Sequence, residues 1–227
     1  MNCFLVLEED GLTLVDTGLP TSAPAIVDAA AGIGQPLRRI LLTHAHRDHA
    51  GGLDALLRAS PHTALLLTRR AHEALRGRFP TRHETAAARL RRLLFTRSAA
   101  TPTHYLKVGD EVGRLRLVDA PGHAPEHVAY YLEAERVLIA GDAFTTRGGR
   151  LRLVGHPVAP RPLTDQASNI TTRLFTWHAP TAVRSAKHLH QLAPELLLVG
   201  HGPPLEDPLA ALEEALGATL LGGAEEG

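Results

Sequence analysis

An α/β fold is what this sequence of 227 residues predicts, and two observations carry the prediction. Short, continuous apolar runs break off abruptly at polar residues, as strands buried on both faces do. Between these runs lie stretches whose apolar residues recur at helical spacing, and strands alternating with helices build α/β architectures.

The elements follow in chain order. Leu12 to Val15 reads as a buried strand that delivers Asp16, followed by a helix from Thr21 to Ala31 closed by Gly32 and Gly34. Ile40 to Leu42 delivers Thr43 and His44, and a helix runs from Gly52 to Ala59. A further helical pattern spans Arg82 to Thr96. Val137 to Ala140 delivers Gly141 and Asp142, and a long helical pattern from Thr164 to Leu192 is interrupted at Pro180. Leu196 to Val199 delivers Gly200 and His201, Pro208 to Leu221 forms the last helix, and residues 222–227 form a frayed tail. Each half thus has one strand that ends in an Asp and a later one that ends in a His. Two similar halves facing each other would gather these ends into one cleft; chance likeness among short Val/Leu runs would look the same.

Composition narrows the class. The 24 basic residues balance 24 acidic ones, which argues against a protein that coats nucleic acid. Apolar residues at 44% and charged residues at 21% exclude a disordered chain. This length supports one packed core, so a single domain over residues 1–227 is expected. The lone Cys3 cannot form an internal disulfide and is expected to pack as a small hydrophobe. No stretch reaches the roughly 20 apolar residues of a membrane helix, and no signal segment is visible. No membrane association is expected, and the expected location is cytoplasmic.

Fourteen histidines invite a metal, and clustering decides which of them matter. Thr43-His44-Ala45-His46-Arg47-Asp48-His49-Ala50-Gly51-Gly52 puts four metal-competent side chains just past a buried strand and just before a helix. His44 and His46, two residues apart, can point the same way, while Asp48 and His49 diverge toward a second point, so one loop can serve two metals. Gly51 and Gly52 suit a turn where backbone approaches the site. His123 in Pro-Gly-His, Asp142 in Gly-Asp and His201 in Gly-His-Gly add three more donors at strand ends or turns. Five imidazoles and two carboxylates suit Zn²⁺, and one carboxylate can bridge two cations. His62, His72, His83, His104, His156, His178, His188 and His190 have no such setting and read as ordinary surface or core residues. His127, beside an apparent strand at Val128, is left outside the ligand set.

His44-x-His46-x-Asp48-His49, with Val-Asp16-Thr-Gly, Pro-Gly-His123, Gly-Asp142 and Gly-His201-Gly in the same order, resembles the metallo-β-lactamase-fold hydrolases of the glyoxalase II-like and lactonase-like kind. The likeness spans Leu12 to Pro204. It implies a four-layer αββα sandwich holding two zinc ions per chain, the donors being equally compatible with Mn or Fe. By the same likeness His44, His46 and His123 hold one metal, Asp48, His49 and His201 the other, and Asp142 bridges; Asp16 holds a ligand loop by hydrogen bonds. Asp48 and Asp142 are the expected catalytic carboxylates.

Two departures stand out. The turn His123-Ala-Pro-Glu126-His127 has Glu126 where the pattern has Gly, and the expectation is a solvated side chain rather than an acid at the cleft. The first edge strand is expected to be short or absent, leaving an edge that a homodimer could cover. Residues Arg69 to Tyr105 hold nine Arg against Glu73 and Glu84. With Leu90, Leu93 and Leu94 at helical spacing, this reads as a helical insert, either solvated or a lid that attracts an anionic small-molecule substrate.

No nucleophile elbow, phosphate loop or dinucleotide fingerprint is present. The expected activity is hydrolysis of an ester, thioester or lactone by metal-bound hydroxide. The alternatives are an iron oxidoreductase like the persulfide dioxygenases, a phosphodiesterase and a noncatalytic metal-dependent binding protein.

Overall fold

The computed structural model describes residues 1–78, 94–154 and 176–221. The chain divides into two compact units, Met1–Leu117 and Val118–Gly227. Each has its own apolar cluster: Leu14, Ile40, Leu53, Leu56 and Leu67 belong to the first, and Tyr131, Leu138, Phe144, Leu189 and Leu197 to the second. Each fully buried aliphatic side chain in these clusters contributes about 1.5–3 kcal/mol.

In the first unit, β1 (Phe4–Glu8) and β2 (Gly11–Val15) form an antiparallel hairpin, with Phe4 opposite Val15 and Glu8 opposite Gly11. The edge strand expected to be short or absent is therefore as long as its partner. Leu7 in it is exposed and its other residues are half-buried, whereas β2 is buried throughout. The helix α1 (Ala23–Ile33) has Pro24 in its first turn and presents Ala23, Ile26 and Ala30 to the core. It ends at Gly34, which takes a left-handed φ of 74°. Gly32 is thus helical, and closure falls to Gly34 because only that position needs the conformation that lacks a Cβ penalty.

Then come β3 (Leu37–Leu41), α2 (Arg47–Ala50), α3 (Leu53–Ala59), β4 (Ala64–Thr68), α4 (Arg69–Leu75) and β5 (His104–Leu106). Strands β2 to β5 are parallel neighbours in the order β1-β2-β3-β4-β5. The helix expected over Arg82 to Thr96 lies mostly outside the described residues, as do Arg89, Arg91 and Arg92. Its described end is not α-helical: Phe95 forms an antiparallel bridge with His46, and the Thr96 N–H donates to the Ala45 carbonyl at 2.8 Å. Tertiary pairing overrides the local periodicity there.

A hairpin of β6 (Glu111–Val112) and β7 (Leu115–Asp119) carries the chain into the second unit, whose strands are β8 (Val128–Leu132), β9 (Val137–Ile139), β12 (Leu196–Leu198) and β13 (Leu205–Glu206). The sheet order is β13-β12-β9-β8-β7-β6, and within it β9 and β12 run parallel. A small ladder joins β10 (Phe144–Thr145) to β11 (Arg152–Leu153), and two helices follow, α5 (Ala179–Gln191) and α6 (Leu209–Leu221). Pro180 lies in the first turn of α5, and the described residues just before it, 176–178, are not helical. At that first turn its missing N–H costs nothing. The part of that pattern between Thr164 and residue 175 lies outside the described residues, as do His83, His156 and residues 222–227. Among the described residues no helix is long and apolar enough to cross a membrane.

Candidate metal centre

The first unit builds a His/Asp cluster from a parallel strand pair. Val15 of β2 stands against Leu41 of β3, so Asp16 and Thr43 leave the sheet side by side. Asp16 has a left-handed φ of 63°, a conformation that costs an ordinary L-residue about 1–2 kcal/mol. Three donors answer that cost. Oδ1 accepts the Thr43 N–H at 2.7 Å and Oδ2 accepts the Thr43 hydroxyl at 2.8 Å. Oδ2 also lies 2.8 Å from His49 Nδ1, fixing that ring with Nδ1 toward the carboxylate. The Thr17 N–H and hydroxyl both donate to the His49 carbonyl, at 2.6 and 3.0 Å.

His49 Nε2 then lies 3.8 Å from Asp48 Oδ2, whose side chain is 37% exposed. His44 Nε2 lies 3.0 Å from His46 Nδ1, and the Phe95 ring meets the His46 ring edge-on at 4.6 Å. Two donors on one tetrahedral zinc stand about 3.3 Å apart, given bonds of about 2.05 Å. The two pairs bracket that value, one pair formed before α2 and the other within its single turn. Gly51 and Gly52 do approach backbone closely: a Cβ at Gly52 would collide with the Thr17 carbonyl oxygen, and one at Gly51 with the Arg47 carbonyl oxygen.

The second unit repeats the construction with different chemistry. Parallel pairing of Ile139 with Leu198 sends Asp142 and His201 off the sheet together. The Gly200 N–H donates to the Gly141 carbonyl at 2.9 Å, and the Thr145 hydroxyl and Thr146 N–H hold the His201 carbonyl at 2.8 and 3.1 Å. His123 sits in a loop clamped from outside: Trp177 N–H donates to its carbonyl and His178 N–H to that of Gly122, at 2.8 and 2.9 Å. Gly122 has φ 141°, and a Cβ there would collide with Ala182 in α5. Asp142 Oδ2 ends 3.5 Å from His123 Nε2 and 3.5 Å from His201 Nε2. Both distances are close to that of neighbouring donors on one cation.

All donors are nitrogen or carboxylate oxygen, a set that fits Zn²⁺ and also Mn or Fe, and His44, His49, His123 and Asp142 are buried. Three contributors escaped the sequence reading. Thr43 stood in the His motif with no role assigned, Phe95 was placed on a helix, and Arg147, whose Nη2 is 3.2 Å from His201 Nδ1, had no signal at all. Glu126 corrects another expectation: it is 2% exposed, not solvated. The turn that carries it is closed by the Ala120 N–H, which donates to the His127 carbonyl, and by the His127 N–H, which donates to that of Ala124. Cys3 packs against the first core but only partly buried; burial, then the nearby Asp16 carboxylate, pushes its thiol up to about 12.

YobT of Bacillus subtilis (strain 168), an uncharacterized protein, is 34% identical over 95% of this chain and 89% of its own. A hydroxyacylglutathione hydrolase of Acaryochloris marina (strain MBIC 11017) is 29% identical over 79% of this chain and 65% of its own. The crystal structure of TTHA1623 in a di-iron-bound form superposes with a TM-score of 0.64 at 26% identity, covering 92% of this chain and 91% of that one. The model of the metallo-beta-lactamase superfamily matches residues 2–201, a span that takes in every donor described above, and the chain belongs to that superfamily.

Proposed function

We propose that the protein is a metal-dependent hydrolase that cleaves an ester, thioester or lactone in a small-molecule substrate. The observation that carries this reading is the Asp142 carboxylate oxygen held 3.5 Å from each of two imidazole nitrogens. In the proposal His44, His46 and His123 hold one cation, Asp48, His49 and His201 a second, and Asp142 both; zinc is the first choice. When bound, such a pair supplies water acidified toward neutral pH and Lewis acidity for a carbonyl oxygen.

The chain's own groups do the rest. Asp16 keeps His49 Nδ1 engaged, so that Nε2 is the nitrogen offered. Asp48, the most exposed of the three carboxylates, is the group suited to accept and pass on a proton. The Arg147 guanidinium beside His201 favours a substrate that carries an anionic group. Membership of the superfamily and likeness to a protein named hydroxyacylglutathione hydrolase support acyl hydrolysis over the alternatives.

The test is elemental analysis of the purified and zinc-reconstituted protein, then hydrolysis of paired carboxylate-bearing and neutral esters, thioesters, lactones and phosphodiesters. The expected outcome is about two cations per chain and acyl hydrolysis abolished by chelation. One cation per chain with oxygen uptake would replace this reading with an iron oxidoreductase, turnover confined to phosphodiesters with a phosphodiesterase, and metal binding without any turnover with a binding protein.

A further inference from the structure

His127 is fully buried and belongs to no donor group proposed above. Both of its ring nitrogens are committed. Nδ1 is 2.9 Å from the Ala120 carbonyl oxygen, and Nε2 is 3.0 Å from the main-chain nitrogen of Asp142. A carbonyl oxygen can only accept and a main-chain N–H can only donate. Nδ1 therefore carries the proton, and the Nε2 lone pair is spent on Asp142. The ring is a neutral imidazole in one tautomer, with no lone pair to offer a cation.

The contact falls where the backbone needs it. Asp142 lies in a short turn, Gly141–Ala143, with φ −97° and ψ 24°, outside helical geometry, and Gly141 before it has φ 52°. His127 supplies the acceptor for the Asp142 N–H there. The same residue closes the loop that carries His123, since its own carbonyl accepts the Ala120 N–H at 3.2 Å and its N–H donates to Ala124 at 3.3 Å. One imidazole thus joins the loop bearing His123 to the turn bearing Asp142.

We propose that His127 is a positioning residue: by holding the Asp142 main chain against the His123 loop, it sets where the Asp142 carboxylate oxygen sits between His123 and His201, and hence how tightly that donor set binds metal. This rests on the metal-centre reading above. Two substitutions separate its two bonds. His127→Gln places an amide oxygen near the former Nε2 and keeps an acceptor for Asp142. His127→Asn places an amide N–H near the former Nδ1, keeps the Ala120 bond and abandons Asp142.

The readout is zinc affinity by competition with a chelator, beside the melting temperature of both metal-free variants. The expected result is Gln within a few-fold of the unaltered protein and Asn about 10- to 100-fold weaker, the usual effect of removing a group that orients a metal ligand, with the two apo proteins melting alike. Equal zinc affinities for Gln and Asn, beside tight binding by the unaltered protein, would overturn the proposal alone. An unaltered protein that takes up no zinc, manganese or iron would sink the metal-centre reading and this one with it. If neither variant folds, ¹⁵N shifts of the His127 ring in the unaltered protein decide: a protonated Nε2 or a cationic ring overturns the assignment.

Discussion

Asp16 and Asp142 occupy matching places, each just past a strand whose parallel neighbour delivers a histidine, yet they meet imidazoles from opposite sides. Asp16 Oδ2 contacts His49 at Nδ1, and the same carboxylate is saturated by Thr43. Asp142 Oδ2 faces Nε2 of two different histidines. At His49 the carboxylate sits on the nitrogen turned away from Asp48 and orients the ring, whereas Asp142 sits on the nitrogens that His123 and His201 would offer a cation. The same strand-end device therefore yields a positioning group in one unit and a candidate ligand in the other.

Substitutions can break this comparison, beginning with the largest effect. Asp142→Ala is expected to cut kcat by about 10³-fold, the upper range for loss of one group that stabilises developing charge. It should lower metal content while the circular dichroism spectrum stays unchanged; full activity would remove Asp142 from the site. Asp16→Asn keeps the shape but not the charge or both acceptors. It is expected to weaken zinc binding by about 10- to 100-fold and to cost about 1–3 kcal/mol in denaturant unfolding of the apo protein, because buried Thr43 and His49 donors lose their partner. If Asp16→Asn lost metal as completely as Asp142→Ala, the distinction between orienting group and ligand would fail.

Gly52→Ala sharpens the same point through the backbone. The added methyl meets the Thr17 carbonyl, so a loss of about 1–3 kcal/mol is expected from overpacking, read as a lower melting temperature. Zinc stoichiometry should hold. The smallest effect belongs to Cys3. Burial pushes its thiol well above the ordinary range, so little thiolate is present at pH 8. Iodoacetamide should modify it slowly in the folded protein and quickly after denaturation; fast modification of both would show that the thiol is not held out of water.

Much of this was legible in the residues alone. The HxHxDH cluster, the Asp and His that end apolar runs and the α/β class all follow from local patterns of polarity, and the family match spans the same motifs. Other features were not. Glu126 looked solvated because nothing in its sequence neighbours signals that a carboxylate there is buried. Phe95 looked helical because its apolar spacing is helical, while the partner that straightens it, His46, lies far back in the sequence.

The sequence by itself determined which side chains could ligate a metal and which strands would deliver them, because burial and strand ends are written in short-range alternations of apolar and polar residues. Tertiary structure alone decided which nitrogen of each imidazole faces what. His127 lies four residues past His123 and His49 inside the His/Asp motif, and both are fully buried. One spends its Nε2 on the Asp142 N–H, and the other has its Nδ1 turned to Asp16. Either ring nitrogen can carry the proton until backbone and carboxyl groups brought close by the fold decide between them, and no local pattern encodes that arrival.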